Sequence, residues 1–88
     1  MSYRLTRQAG ANLVAIVKYT ASVFGEAQAR KYQNTLVKAF QRIGDNPLFP
    51  ESRTRKDLQP GVRVLRVEKH LIVFRQNAGV TEIMRIPS

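Results

Sequence analysis

Residues 62–86 decide the fold: Val62-Arg63-Val64-Leu65-Arg66-Val67, the link Glu68-Lys69, then His70-Leu71-Ile72-Val73-Phe74-Arg75, and a last run from Val80 to Ile86. Val62, Val64 and Val67 are interspersed with Arg63 and Arg66, the mark of a strand with one face in a core and the other toward solvent. Leu65 breaks the alternation and predicts that part of this strand is covered on both faces or bulged. Leu71 to Phe74 is apolar without alternation, as in a central strand buried on both sides. Asn77-Ala78-Gly79 supplies the turn into the final strand. Three strands in succession, none separated by a helix, form an antiparallel meander.

Upstream the period changes from two to between three and four. After a short opening strand, Tyr3-Arg4-Leu5, Thr6 is placed to cap a helix bearing Ala9, Leu13, Ile16, Val17, Thr20 and Phe24 as one apolar stripe. Gly25 provides the break. A second helix begins near Glu26 and aligns Ala29, Tyr32, Leu36, Ala39, Phe40 and Ile43, with Gly44 and Pro47 as its stop signals. So short a connection makes the two helices antiparallel, and their stripes need the sheet as a cover. Residues 47–61 hold three prolines and one glycine and read as a surface connection, with a turn at Asp57-Leu58-Gln59-Pro60-Gly61. The expected architecture is an α+β domain, β-α-α-β-β-β, a helical hairpin packed on an antiparallel sheet, with residues 1–88 as a single domain.

Composition limits what such a domain does. At 88 residues it has room for one core, and 43% hydrophobic against 24% charged residues is not the balance of a disordered chain. The absence of cysteine excludes disulfides, thiolate metal sites and cysteine nucleophiles. No apolar run approaches a membrane span, and Met1-Ser2-Tyr3-Arg4 is unlike a secretory leader, so a cytoplasmic location is expected. Fifteen basic against six acidic side chains give a formal charge of +9, shared between both halves of the chain. That excess attracts polyanions or an acidic protein without distinguishing between them.

Catalytic motifs are sparse. There is no glycine-rich phosphate loop, no paired-histidine metal spacing and no nucleophile motif beside a histidine, so neither a cofactor nor a small-molecule substrate is implied. His70 is the one histidine, at a strand start, where packing is the simpler role. Tyr3, Tyr32, Phe24, Phe40, Phe49 and Phe74 mostly fall at core spacing rather than forming an aromatic platform for single-stranded nucleic acid.

The ordered set Tyr3-Arg4-Leu5-Thr6 with Ala9 and Leu13, Phe24-Gly25 with Ala29 and Tyr32, Asn46-Pro47-Leu48, Asp57 to Arg63, His70 to Arg75 and Ile83-Met84-Arg85-Ile86 resembles the ParE toxins of the RelE/ParE superfamily along nearly the whole chain. The resemblance implies the toxic half of a type II toxin-antitoxin, or plasmid-stabilization, pair. It also implies an acidic ParD-like antitoxin and DNA gyrase as the usual target, inhibited by binding rather than by chemistry. On this reading Arg63, Arg66, Lys69, Arg75 and Arg85 are the candidate target-binding residues, and Lys18, Arg30, Lys31 and Lys38 the candidate antitoxin-binding ones. The RelE branch instead cleaves messenger RNA, and it is the alternative, together with a basic nucleic-acid-binding module. Cleavage without a metal needs an acid, a base and a cation around the phosphate, and only cations are evident here. ParE-like chains usually continue past the Arg-Ile pair of the last strand, whereas this sequence stops at Pro87-Ser88, so the resemblance also predicts weak or lost gyrase poisoning.

Overall fold

A computed structural model describes residues 3–48, 52–54 and 60–87. The elements run β1 (Tyr3–Leu5), α1 (Arg7–Phe24), α2 (Glu26–Asp45), β2 (Arg53–Thr54), β3 (Arg63–Val67), β4 (His70–Asn77) and β5 (Val80–Arg85). They form a helical hairpin on a five-stranded sheet of order β1-β5-β4-β3-β2.

Local chemistry explains the helices. The Thr6 hydroxyl oxygen accepts from the Ala9 amide at 3.1 Å and so fills one of the donors left open at the start of α1. Gly25 ends α1 and begins α2 at once: its amide donates to the Ala21 carbonyl, and its own carbonyl accepts from Ala29. With φ 94° and ψ 164° it holds a conformation that side-chain-bearing residues avoid. The stop expected at Gly44 falls later. Gly44 is buried inside α2, which runs to Asp45, and the helix ends because Asn46 precedes Pro47 and is driven out of the helical region.

The larger of two apolar clusters lies between helices and sheet. Tyr32, Leu36, Phe40 and Ile43 of α2 and Ala9 and Ile16 of α1 meet Leu65, Ile72, Phe74 and Ile83, with Ile86 at the end. Each fully buried side chain of this size contributes roughly 1.5–3 kcal/mol. Phe24, placed by its spacing in the α1 stripe, is instead 64% exposed, because it is the last helical residue before the chain turns at Gly25. A second cluster, Val62, Val64 and Val73 with Leu71 and Met84, occupies the other face of the sheet. Coverage of β3 on both faces is therefore the reason that Leu65 breaks its alternation: Val64 points one way, Leu65 and Val67 the other.

Two features of the sheet depart from the expected meander. β1 pairs with β5 in parallel, Tyr3 opposite Thr81 and Leu5 opposite Ile83, so the sheet is mixed. A two-residue strand, β2, lies in the segment read as connection only, and pairs Arg53 with Val64 and Thr54 with Arg63. The predicted turn at 57–61 is described only at Pro60-Gly61, Gly61 having φ 80°; residues 57–59 and Phe49 lie outside the described residues. A bulge sits in β5, where Phe74 pairs with Ile83 but Val73 with Arg85. It frees the Met84 carbonyl, which accepts from the Thr6 hydroxyl at 2.6 Å, while Asn12 Oδ1 receives the Ile86 amide at 2.9 Å. α1 is thereby fixed to the end of β5.

Candidate functional site

The basic side chains fall into three groups with different freedom. The first is bound into the fold. Arg63 donates from Nε to Ser52 Oγ at 3.0 Å, from Nη2 to Ser52 Oγ at 2.7 Å and to the Ser52 carbonyl at 3.0 Å, and from Nη1 to Thr54 Oγ1 at 3.1 Å. Ser52 in turn donates to the Pro47 carbonyl. Arg63 thus fastens β2 and the end of α2 to β3. Arg75 donates from Nε to Glu82 Oε1 at 3.1 Å, and Arg4 from Nη2 to Glu82 Oε2 at 2.8 Å, one row across β4, β5 and β1. Burial alone would raise the Glu82 carboxyl, but the hydrogen bonds and charges of Arg4 and Arg75 outweigh it and hold it below its ordinary value. This carboxylate lets two guanidinium groups stand side by side.

The second group is exposed on the helices: Lys18 on α1, and Arg30, Lys31 and Lys38 on α2. Of these, the structure brings Lys38 to the sheet. It borders a hollow of about 430 Å³ between α2 and β3, with Thr35, Ala39 and Arg42 on the helix side and Leu65, Arg66 and Val67 on the strand side. Arg66 is exposed there, and so the residue expected to serve a target and one expected to serve an antitoxin share one groove.

The third group surrounds the β3–β4 turn. Lys69 is exposed beside Glu68, whose φ of 52° is unusual for a residue with a side chain. A second hollow, of about 360 Å³, opens here between the turn and the junction of the helices, with Tyr19, Phe24, Tyr32 and His70 among its walls. At its base the Tyr32 hydroxyl donates to the Val67 carbonyl at 3.1 Å and lies 2.8 Å from His70 Nδ1. Burial lowers the His70 pKa, Glu68 and Lys69 pulling it in opposite directions, and burial followed by the Glu68 charge raises that of Tyr32. Both groups are held neutral near pH 7. Arg85 stands apart from all three groups, half-buried on β5 at the bulge.

The family model described as "ParE toxin of type II toxin-antitoxin system, parDE" matches residues 3–88. The chain belongs to the ParE toxin family. It is also similar to Toxin ParE of Escherichia coli, 32% identical over 80 residues that span 89% of this chain and 74% of that protein. A chain in the solved structure "Chromosomal ParDE TA system from P. aeruginosa" superposes with a TM-score of 0.79 at 28% identity, covering 99% of this chain and 94% of that one. A ParE-type toxin of a toxin-antitoxin system, with two helices on a five-stranded mixed sheet, is thus what the sequence encodes. Among the described residues no helix of this toxin is long and apolar enough to cross a membrane, and no cluster of potential metal ligands occurs.

Three relationships were not visible in the sequence. Arg4 and Glu82 are 78 positions apart, and nothing local signals their pairing. The Tyr32–His70 bond joins two residues that separately read as core and strand edge. The groove beside Arg66 left a faint trace, Thr35 and Ala39 one turn apart on the flank of the α2 stripe.

Proposed function

We propose that this ParE-family toxin acts by binding DNA gyrase without chemistry of its own, in the cytoplasm, and is neutralised by an acidic ParD-like antitoxin. Family membership supplies the toxin role, and similarity to a chain of the P. aeruginosa ParDE system supports a partner of the ParD kind. The observation that carries the binding mode is the engagement of the cations. Arg63 and Arg75 are hydrogen-bonded to Ser52, Thr54 and Glu82, an arrangement that builds a fixed charged surface rather than an acid and base converging on a phosphate. Arg66 and Lys69, with Arg85, complete the proposed target surface; Lys18, Arg30, Lys31 and Lys38 face the antitoxin.

Ribonuclease action is the rival, and the Tyr32–His70 pair is the feature it would use. The histidine's Nδ1 is engaged by Tyr32, and burial moves the tyrosine away from the pKa range of a useful acid. Purified toxin incubated with gyrase and relaxed plasmid is expected to inhibit supercoiling at least in part and to trap some cleaved DNA. Normal supercoiling together with codon-dependent messenger cleavage in a translation extract would replace this reading with the rival.

A further inference from the structure

The register of the sheet sorts the strand arginines by face. Val64 and Val73 lie on the side away from the helices, and side chains directly opposite them, or two positions along, share that side. Arg53 stands opposite Val64, Arg85 opposite Val73, and Arg66 opposite Leu71 of the same cluster. Arg75 follows Val73 by two positions and stands opposite Glu82, which faces Arg4 on its other side. Each of the five strands therefore sends one arginine to the helix-free face: Arg4, Arg53, Arg66, Arg75 and Arg85. Glu82 is the one acidic residue in these strands, and it is engaged in holding Arg4 and Arg75 together. Arg63 marks the contrast, since it stands opposite Phe74 on the helix side, where Ser52 and Thr54 hold it.

We propose that this face binds the sugar-phosphate backbone of duplex DNA directly, an activity that goes beyond the gyrase reading and needs no gyrase. Its cations are all guanidinium groups, whose planar fork meets two phosphate oxygens at once. Arg4 and Arg75 are preorganised for this, each giving one N–H to Glu82 and keeping the rest of its fork. Across four strand spacings of about 4.8 Å the arginines span roughly 19 Å, enough to reach phosphates on both sides of a major groove about 12 Å wide. A protein partner would need an apolar anchor on this face. The exposed large hydrophobic side chains among the described residues, Val14, Tyr19, Val23, Phe24 and Leu48, lie on the helices or just after them, whereas Val62, Val64 and Val73 are buried. Single-stranded nucleic acid would need aromatic rings to stack on, and Tyr3 and Phe74, the aromatic residues of the strands, are turned into the core on the helix side. With cations and no group set to read base edges, binding is independent of sequence.

The test titrates a fluorescent duplex of about 20 base pairs with purified toxin and follows anisotropy over a range of salt. Log K should fall linearly with log salt at a slope of about −4, alike for unrelated sequences. The triple variant Arg53→Gln, Arg66→Gln, Arg85→Gln should bind at least about tenfold more weakly, with a slope shallower by about 3 and an unchanged circular dichroism spectrum. Amide chemical shifts of the wild type map the contact without any substitution. Adding the duplex should move strand residues and leave α1 and α2 in place. No binding at low salt, a slope unchanged in the folded triple variant, or shifts confined to the helices overturns the proposal. Single-stranded RNA bound at least about tenfold more tightly than the duplex would make RNA the ligand instead, and polyglutamate displacing the duplex at equal charge would reduce the face to a general anion surface. Gyrase inhibition is read in a separate reaction, so failure here leaves that reading standing.

Discussion

The hydroxyl of Tyr32 and Nδ1 of His70 are 2.8 Å apart, and the protons between them can be assigned. The Val67 carbonyl, 3.1 Å from the same hydroxyl, only accepts, so the phenolic proton goes to it and His70 donates from Nδ1. The lone pair of the neutral ring is then on Nε2. Protonation at Nε2 leaves the Nδ1–H bond in place, and its cost is one of burial.

Stability should therefore respond to pH through both members. His70 is lowered from 6.5 by burial, so its contribution is present above about 6.5 and declines as pH falls through the lower folded value. Tyr32 is raised above 10.0, so its contribution is present below 10 and is lost as pH rises through the higher folded value. Tyr32→Phe is expected to cost about 1–2 kcal/mol near pH 7 and to remove the Tyr32 share of the alkaline loss, giving a shallower slope. Urea titrations of both proteins between pH 5 and 11 measure this; an identical alkaline slope in the variant would contradict it.

Glu82→Gln leaves Arg4 and Arg75 adjacent without their shared carboxylate. The expected cost at pH 7 is about 1 kcal/mol, held down because the Arg4 side chain is 57% and the Arg75 side chain 39% exposed to solvent. Glu82 is lowered in the folded state, so its contribution exists above the ordinary carboxyl value and is lost as pH falls through the lower one. The gap between wild type and Glu82→Gln, read from denaturation midpoints, should thus close on acidification and also narrow in salt.

Ala78 occupies the left-handed region, φ 55°, beside Gly79 at φ 80°, in the two-residue turn from β4 to β5. Positive φ at both positions is what the turn's twist demands, and asparagine tolerates it better than alanine. Ala78→Asn should stabilise the toxin by about 0.5–1 kcal/mol, seen as a rise in melting temperature of a few degrees. An unchanged or lower melting temperature would count against the geometry of this turn.

Leu36 is fully buried where α2 meets the sheet. Leu36→Ala is expected to cost about 2–5 kcal/mol, a large share of the roughly 5–10 kcal/mol available to a domain of this size. Lys38→Ala, two positions on and exposed, should leave the unfolding midpoint almost unchanged. Equal destabilisation by both would mean that α2 presents a different face.

Much of the architecture was written locally. The caps at Thr6 and Gly25, the α2 stripe of Ala29, Tyr32, Leu36, Phe40 and Ile43, and the hairpin turns depend on residues within a few positions of one another. Periodicity and turn chemistry report such relations directly, and the order of residues along the chain was enough to place it among the ParE toxins. Phe24 shows where this stops, since helical spacing cannot tell whether the last turn of a helix still has anything beneath it.

Tertiary structure alone decided which distant edges meet. β1 joins β5 in parallel across almost the whole chain, and that pairing creates the Arg4–Glu82–Arg75 row. β2 meets β3 at Arg63 and Val64, and α2 brings Lys38 to the groove that Arg66 borders. Strand neighbours are chosen by backbone groups common to every residue and by the packing of the whole core, so they leave no local mark. The sequence determined that its strands carry arginines; the pairing determined that Arg63 and Arg75 are held by the fold while Arg66 faces outward.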